Sequence, residues 1–316
     1  MPKITEEMIH PELRKIGRKQ RGSKTFSLRK AKLMKVACRL LKGKHSKSLS
    51  YTQEFVTRED GSKLRLCVYT PLTVQEQVPG LLWIHGGGYI LGVPEQDDLY
   101  IKRFIKATGC VVVSPDYTLA LDKPYPAAVN DCYLALLWLK EHGHRYGMDK
   151  NQIFIGGNSA GGGLSVATTL MAREKGQVNI AFQMPLYPML EDRPTASNTD
   201  NDAPVWDSVS NDAAWKLYLG DLSGSDSVPI YAAPGRNTDF SNLPPACFFV
   251  GDVDPFLEES SAYAKGLKDA GIEVNYKVFK GGFHAFERMA TNTTIAQEAL
   301  QFMVDGLVYA KEHYYK

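Results

Sequence analysis

At 316 residues, with 44% hydrophobic and 23% charged positions, the chain has room for one large core and the balance of an ordinary globular protein. The formal charge of +2 is unevenly spread: the first fifty residues carry fifteen Lys/Arg against three Glu, about +12, and the remainder is about −10. Five cysteines (Cys38, Cys67, Cys110, Cys132, Cys247) are odd in number, far apart and in no CxxC pair or Cys/His cluster. That argues for reduced thiols in a cytoplasmic protein and against zinc.

No apolar leader with a small-residue cleavage site opens the sequence, and no run of eighteen apolar residues occurs. Neither a secretory signal nor a membrane-spanning helix is therefore expected. The basic segment 1–50 has helical patches such as Leu28 to Leu41, with Leu33, Val36, Ala37, Leu40 and Leu41 on one face among lysines and arginines. A basic amphipathic helix can lie on an anionic membrane or on nucleic acid. The preferred reading is a helix docking its apolar face on the acidic body, because no aromatics interleave with the cations. A weak membrane-surface contact and a homodimer remain open; no nucleic-acid partner is expected.

Tyr51 to Val56 and Lys63 to Tyr69 alternate as strands around the turn Glu59-Asp60-Gly61. Leu81 to Ile84 is a buried strand ending in His85-Gly86-Gly87-Gly88-Tyr89, and Gln96 to Thr108 reads as helix. Val111 to Ser114 is a third run, and a helix from Tyr125-Pro126 reaches about His142. Ile153 to Ile155, then Leu164 to Lys175, read as strand and helix with a tight turn between them, and Ile180 to Pro185 as another strand. This alternation predicts a mostly parallel sheet with right-handed crossovers. Residues 188–245 break the rhythm with Pro, Asp, Asn and Ser and one aromatic helical piece, Trp206 to Leu219. An insertion of that length covers something. The pattern resumes with Ala246 to Val250, a helix over Glu258 to Ala270, a strand over Val274 to Phe279 and a helix over Thr294 to His313. The expected division is 1–50, 51–187, 188–245 and 246–316.

Gly157-x-Ser159-x-Gly161 stands at the strand-to-helix turn, the context a nucleophile elbow requires. A serine lifted on a strained turn crowds the backbone, so its neighbours two positions away must lack a Cβ. It needs a base, and the base an orienting acid, in the chain order Ser, Asp/Glu, His. Of the histidines only His284 and His313 follow the Ala246 strand; His313 sits in a charged tail, whereas His284 follows the last strand in Gly281-Gly282-Phe283-His284. Asp252 or Asp254 could orient it, with Asp254 ahead because Pro255 would start the next helix. Glu258 reads as a helix-start charge, Asp252 as a supporting group and His85 as a brace of its loop. Glycines 86–88 can bring backbone N–H groups to a developing alkoxide, with the Ala160 amide as a further donor. Neither phosphate-binding glycine motif is present.

Taken together, these segments resemble the hormone-sensitive-lipase-like carboxylesterases of the α/β-hydrolase fold. The resemblance rests on His85-Gly86-Gly87-Gly88-Tyr89, Asp116-Tyr117 with Tyr125-Pro126-Ala127-Ala128, and Gly157-Asn158-Ser159-Ala160-Gly161-Gly162. It continues in Asp254-Pro255-Phe256-Leu257-Glu258-Glu259 and Gly282-Phe283-His284-Ala285-Phe286. It implies an eight-stranded sheet flanked by helices and capped by the N-terminal helices plus 188–245. It implies a triad of Ser159, Asp254 and His284, and an oxyanion hole from Gly87, Gly88 and Ala160. The implied activity is hydrolysis of short-chain esters, without cofactor or metal. Tyr89, Tyr187, Trp206 and Trp215 are candidate pocket walls. A serine peptidase or amidase on the same fold is an alternative, as is a non-catalytic ligand-binding protein. The chain departs from the family twice: Asn158 stands where aspartate is usual, and Thr118 where the family's Asp-Tyr-Arg has arginine.

Overall fold

A computed structural model describes residues 3–21, 26–73 and 75–315. Helices α1 (Arg14–Gln20) and α2 (Leu28–Arg39) precede strands β1 (Leu49–Thr57) and β2 (Lys63–Pro71). There follow β3 (Val78–Ile84), α3 (Asp98–Thr108), β4 (Val111–Pro115), α4 (Ala127–His142), β5 (Met148–Asn158), α5 (Ala160–Lys175) and β6 (Phe182–Leu186). The long stretch before β7 (Ala246–Gly251) contains α6 (Ser208–Leu219). Then come α7 (Leu257–Asp269), β8 (Val274–Phe279), the short α8 (Phe286–Met289) and α9 (Thr294–His313).

The strands form one sheet in the order β1-β2-β4-β3-β5-β6-β7-β8. Only the β1–β2 and β2–β4 pairings are antiparallel. Apolar runs become inner strands because both faces are covered. Leu81, Trp83 and Val112 point to one face, against Tyr100, Phe104, Met303 and Leu307 of α3 and α9. Leu82, Ile84 and Val113 point to the other, against Leu136 and Leu139 of α4 and Leu164 of α5. Each such side chain, fully buried, stabilises the fold by about 1.5–3 kcal/mol. Of the cysteines, Cys67, Cys110, Cys132 and Cys247 are buried, and all five are free. Burial pushes the Cys67, Cys110 and Cys247 thiols up to about 12.

The missing arginine beside Tyr117 is replaced from elsewhere. Arg58, at the end of the β1–β2 hairpin, donates to Asp131 of α4 at 2.6 and 3.0 Å. Thr118 also gives its amide and hydroxyl to Asp131, at 2.8 and 2.7 Å. Arg58, just past β1, thus places a cation beside Thr118, 3.4 Å from its hydroxyl.

Two sequence expectations need correction. Pro255 does not start the helix after Asp254: α7 begins at Leu257, and Asp254 Oδ1 instead accepts the Phe256 amide at 2.9 Å. The intervening turn is held by the aspartate itself. Secondly, α2 does not dock its apolar face. Ala31 is buried and Lys35 and Lys42 pair with Asp122 and Asp116, while Leu33, Val36 and Leu40 are 71%, 57% and 72% exposed. Salt bridges hold this helix to the body, and its aliphatic stripe faces out. The α1 segment behaves differently. Its Gly17 approaches Pro204 and Phe283, His10 N–H donates to Gly281 at 3.0 Å, and Val205 N–H donates to Gln20 at 3.2 Å.

Candidate active site

Ser159 ends β5 and begins α5 with φ +57° and ψ −123°, a region a residue with a Cβ rarely occupies. The close packing that enforces it is visible at its neighbours. A Cβ on Gly157 would meet the backbone of Gly161 and Ile84, and one on Gly161 would meet the Ile84 carbonyl. Helix α5 therefore lies directly against β3, and the serine is pushed up between them. The Ser159 amide donates to Leu186 at 2.9 Å, while its carbonyl accepts from Gly163 and Met189, both at 3.0 Å.

His284 and Asp254 come from the loops after β8 and β7, at the C-terminal ends of neighbouring parallel strands. The His284 Nδ1–H donates to Asp254 Oδ2 at 2.9 Å, which leaves Nε2 to accept the Ser159 hydroxyl at 2.8 Å. Asp254 is 1% and His284 4% exposed, so this hydrogen-bond chain lies largely out of water. The supporting contacts are specific. Asp252 Oδ1 accepts the Gly281 amide at 2.6 Å, fixing the histidine loop to the aspartate loop. Glu258, in the first turn of α7, accepts the Ala196 amide at 2.6 Å and ties that loop to the insertion.

The glycine loop after β3 lies beside the serine. Gly87 and Gly88 have φ of +130° and +60°, and among the described residues no acceptor takes their amides. Ala160 is the first residue of α5, where amides have no acceptor within the helix. The loop runs against the serine at Gly86, where a Cβ would come within 3.2 Å of the Ser159 Cβ. His85 braces this loop: its ring stacks on Tyr117 at 4.2 Å, and Tyr117 OH donates to the His85 carbonyl at 3.0 Å. Burial holds its imidazole below the ordinary histidine range, so it carries no charge into the glycine loop at neutral pH. Gln96 Nε2 adds a 3.0 Å bond to the Gly86 carbonyl.

The four aromatic candidates separate. Trp206 and Tyr187 flank the histidine, with ring centroids 6.1 and 5.0 Å from His284. Trp206 also overlies Gly88, where a Cβ would run into its six-membered ring. The backbone before it is strained, Val205 having φ +73°. Tyr89 and Trp215 instead pack with Tyr218, at 3.9 and 6.0 Å, and Tyr89 OH donates to the Met189 carbonyl.

Several supporting residues had no sequence signal. Asp97, fully buried, accepts from Asn158 Nδ2 at 2.6 Å and Trp83 Nε1 at 2.9 Å, and pairs with Arg288 at 3.2 Å. Asn158 is thus the neutral partner of a carboxylate on α3's leading turn. Glu287, also fully buried, accepts hydrogen bonds from both Tyr100 and Tyr187. Burial raises its carboxyl above the ordinary value of 4.5. The folded chain therefore keeps a proton that the unfolded chain loses. This contribution to stability is full below about pH 4.5 and declines as pH rises through the raised value. Glu287→Gln should remove the decline, so variant and wild type diverge progressively above that pH in urea unfolding. Parallel curves from pH 4.5 to 8 would refute the assignment.

Fold and site fit the serine-dependent hydrolase class, with Ser159 on a strand-to-helix turn and Asp254 and His284 on following loops. A family model described as the alpha/beta hydrolase fold matches residues 81–288. A carboxylesterase of Mycobacterium tuberculosis, NlhH, is 35% identical over 236 residues, covering 73% of this chain and 74% of its own. An arylesterase of Saccharolobus solfataricus is 30% identical over 239 residues, covering 74% and 76%. A solved bacterial heroin esterase superposes with TM-score 0.88 at 31% identity, covering 98% of this chain and 99% of its own. The chain belongs to the α/β-hydrolase family, in its hormone-sensitive-lipase-like carboxylesterase group.

Proposed function

We propose that the chain hydrolyses short-chain carboxylic esters through an acyl-enzyme on Ser159. The observation that carries this is the continuous hydrogen-bond chain from Asp254 through His284 to Ser159 Oγ. His284 takes the Ser159 proton as Oγ attacks the ester carbonyl. The Gly87, Gly88 and Ala160 amides receive the oxyanion, an effect worth about 2.7–4 kcal/mol per donor in comparable sites. As the tetrahedral intermediate collapses, His284 protonates the leaving alcohol. Water, deprotonated by the same imidazole, then releases the acid. Asp254 holds the tautomer and stabilises the imidazolium.

Activity as a carboxylic ester hydrolase is supported by relatives named carboxylesterase, esterase and arylesterase. Nothing favours the peptidase or non-catalytic readings over it. A fluorophosphonate probe followed by peptide mass spectrometry tests the nucleophile: adduct on Ser159 is expected, and adduct elsewhere sinks the proposal.

The proposed cap consists of the N-terminal segment and residues 188–245, with Trp206 and Tyr187 as pocket walls. Trp206 stands over both His284 and Gly88, so it limits how long an acyl chain can extend. Trp206→Ala should raise the octanoate-to-butyrate ratio of kcat/KM about tenfold or more, since each accommodated methylene is worth about 0.8 kcal/mol. An unchanged ratio would remove Trp206 from the pocket. Substrates are small-molecule esters, in the cytoplasm, without nucleic acid. A homodimer is part of the proposal, as is a weak membrane contact through the basic N-terminal segment.

A further inference from the structure

Helix α2 presents the aliphatic positions that a globular helix ordinarily buries. Leu33, Val36 and Leu40 follow i, i+3, i+7 spacing and form one stripe, 71%, 57% and 72% exposed. Arg29, Lys30, Lys32 and Arg39 are exposed around it. Among the described residues none of these four has a carboxylate partner, although Lys35 in the helix and Lys42 in the turn after it do. Attachment to the body is thus complete through Ala31, Lys35 and Lys42, and the outward face is not used by the fold.

We propose that this face docks on an anionic lipid surface, the helix lying parallel to it with Leu33, Val36 and Leu40 inserted and the four cations at headgroup level. This deepens the weak membrane contact above and stands independently of the esterase reading. Charge complementarity selects the occupant. An isologous pairing of two copies through this stripe would set the same cations face to face. Nucleic acid would engage the charges but leave three aliphatic side chains in water. A bilayer with acidic headgroups accommodates both at once, the aliphatics at the acyl boundary and the cations in the negative surface potential. A three-residue stripe gives reversible adsorption, not anchoring.

The test is co-sedimentation of the full chain with phosphatidylcholine vesicles containing about 30% phosphatidylserine, against phosphatidylcholine alone. Binding is expected only to the anionic vesicles and only at low salt. Leu33→Ser/Leu40→Ser and, separately, Arg29→Glu/Lys32→Glu should each weaken it about tenfold or more. Both should hydrolyse a soluble butyrate ester at the wild-type rate, which also reports folding; Ser159→Ala should bind vesicles as wild type does. Vesicle binding untouched by both variants would overturn the proposal, as would no wild-type binding at low salt. Sedimentation velocity showing a wild-type dimer lost in Leu33→Ser/Leu40→Ser would overturn it in favour of self-association.

Discussion

Ser159→Ala should lower kcat/KM for p-nitrophenyl butyrate by about 10⁴-fold or more, with no loss of folding stability. Among the described residues the hydroxyl has one partner, His284 Nε2 at 2.8 Å, and the turn's bonds run through the Ser159 amide and carbonyl. His284→Gln should fall to a similar floor. The double variant should fall little further, because nucleophile and base act as one unit and their losses do not add. The residual rate would come from the glycine amides and from substrate positioning. Initial-rate measurements with an active-site titration, to exclude wild-type carry-over, decide the matter. Wild-type turnover in Ser159→Ala would end the nucleophile assignment, whereas strictly additive losses would end the relay.

The core of this fold was readable because it follows a local rule. A parallel strand covered on both faces must be apolar throughout, so Leu81 to Ile84, Val111 to Ser114 and Ala246 to Val250 announced themselves. They appear in β3, β4 and β7 with boundaries extended by three residues or fewer. Ser159 was legible for a related reason: the glycines beside it record a close backbone approach, and the approach is to Ile84. Long-range pairings left no such trace. Arg58 takes the place of the arginine missing at Thr118, but from 73 residues before its partner Asp131. Segment 1–50 was misread at α2 for a similar reason. An amphipathic pattern gives the direction of an apolar face but not which side the body occupies, and here Asp116 and Asp122 attract the cationic side.

Asp97→Ala tests the largest of these unannounced clusters. The substitution would leave Arg288 without its carboxylate and strand two buried donors, Asn158 Nδ2 and Trp83 Nε1. Breaking one side of a buried ion pair costs about 3–5 kcal/mol, and each orphaned neutral donor about 1–3. Arg288 keeps 24% side-chain exposure, so water recovers part of its loss and a total near 3–5 kcal/mol is expected. The catalytic effect follows from where the partners sit. Trp83 is on β3, which leads into the glycine loop; Asn158 adjoins the nucleophile; Arg288 lies four residues after His284. One carboxylate therefore positions three loops that must stay in register to within a fraction of an ångström, and kcat should fall about tenfold or more with KM little changed. Removing the orphaned charge separates electrostatics from packing. Arg288→Met added to Asp97→Ala should recover part of the stability, giving a favourable coupling of about 1 kcal/mol or more in a double-mutant cycle. Urea unfolding of the four proteins provides the measurement. Simple additivity would mean that Asp97 and Arg288 do not depend on each other.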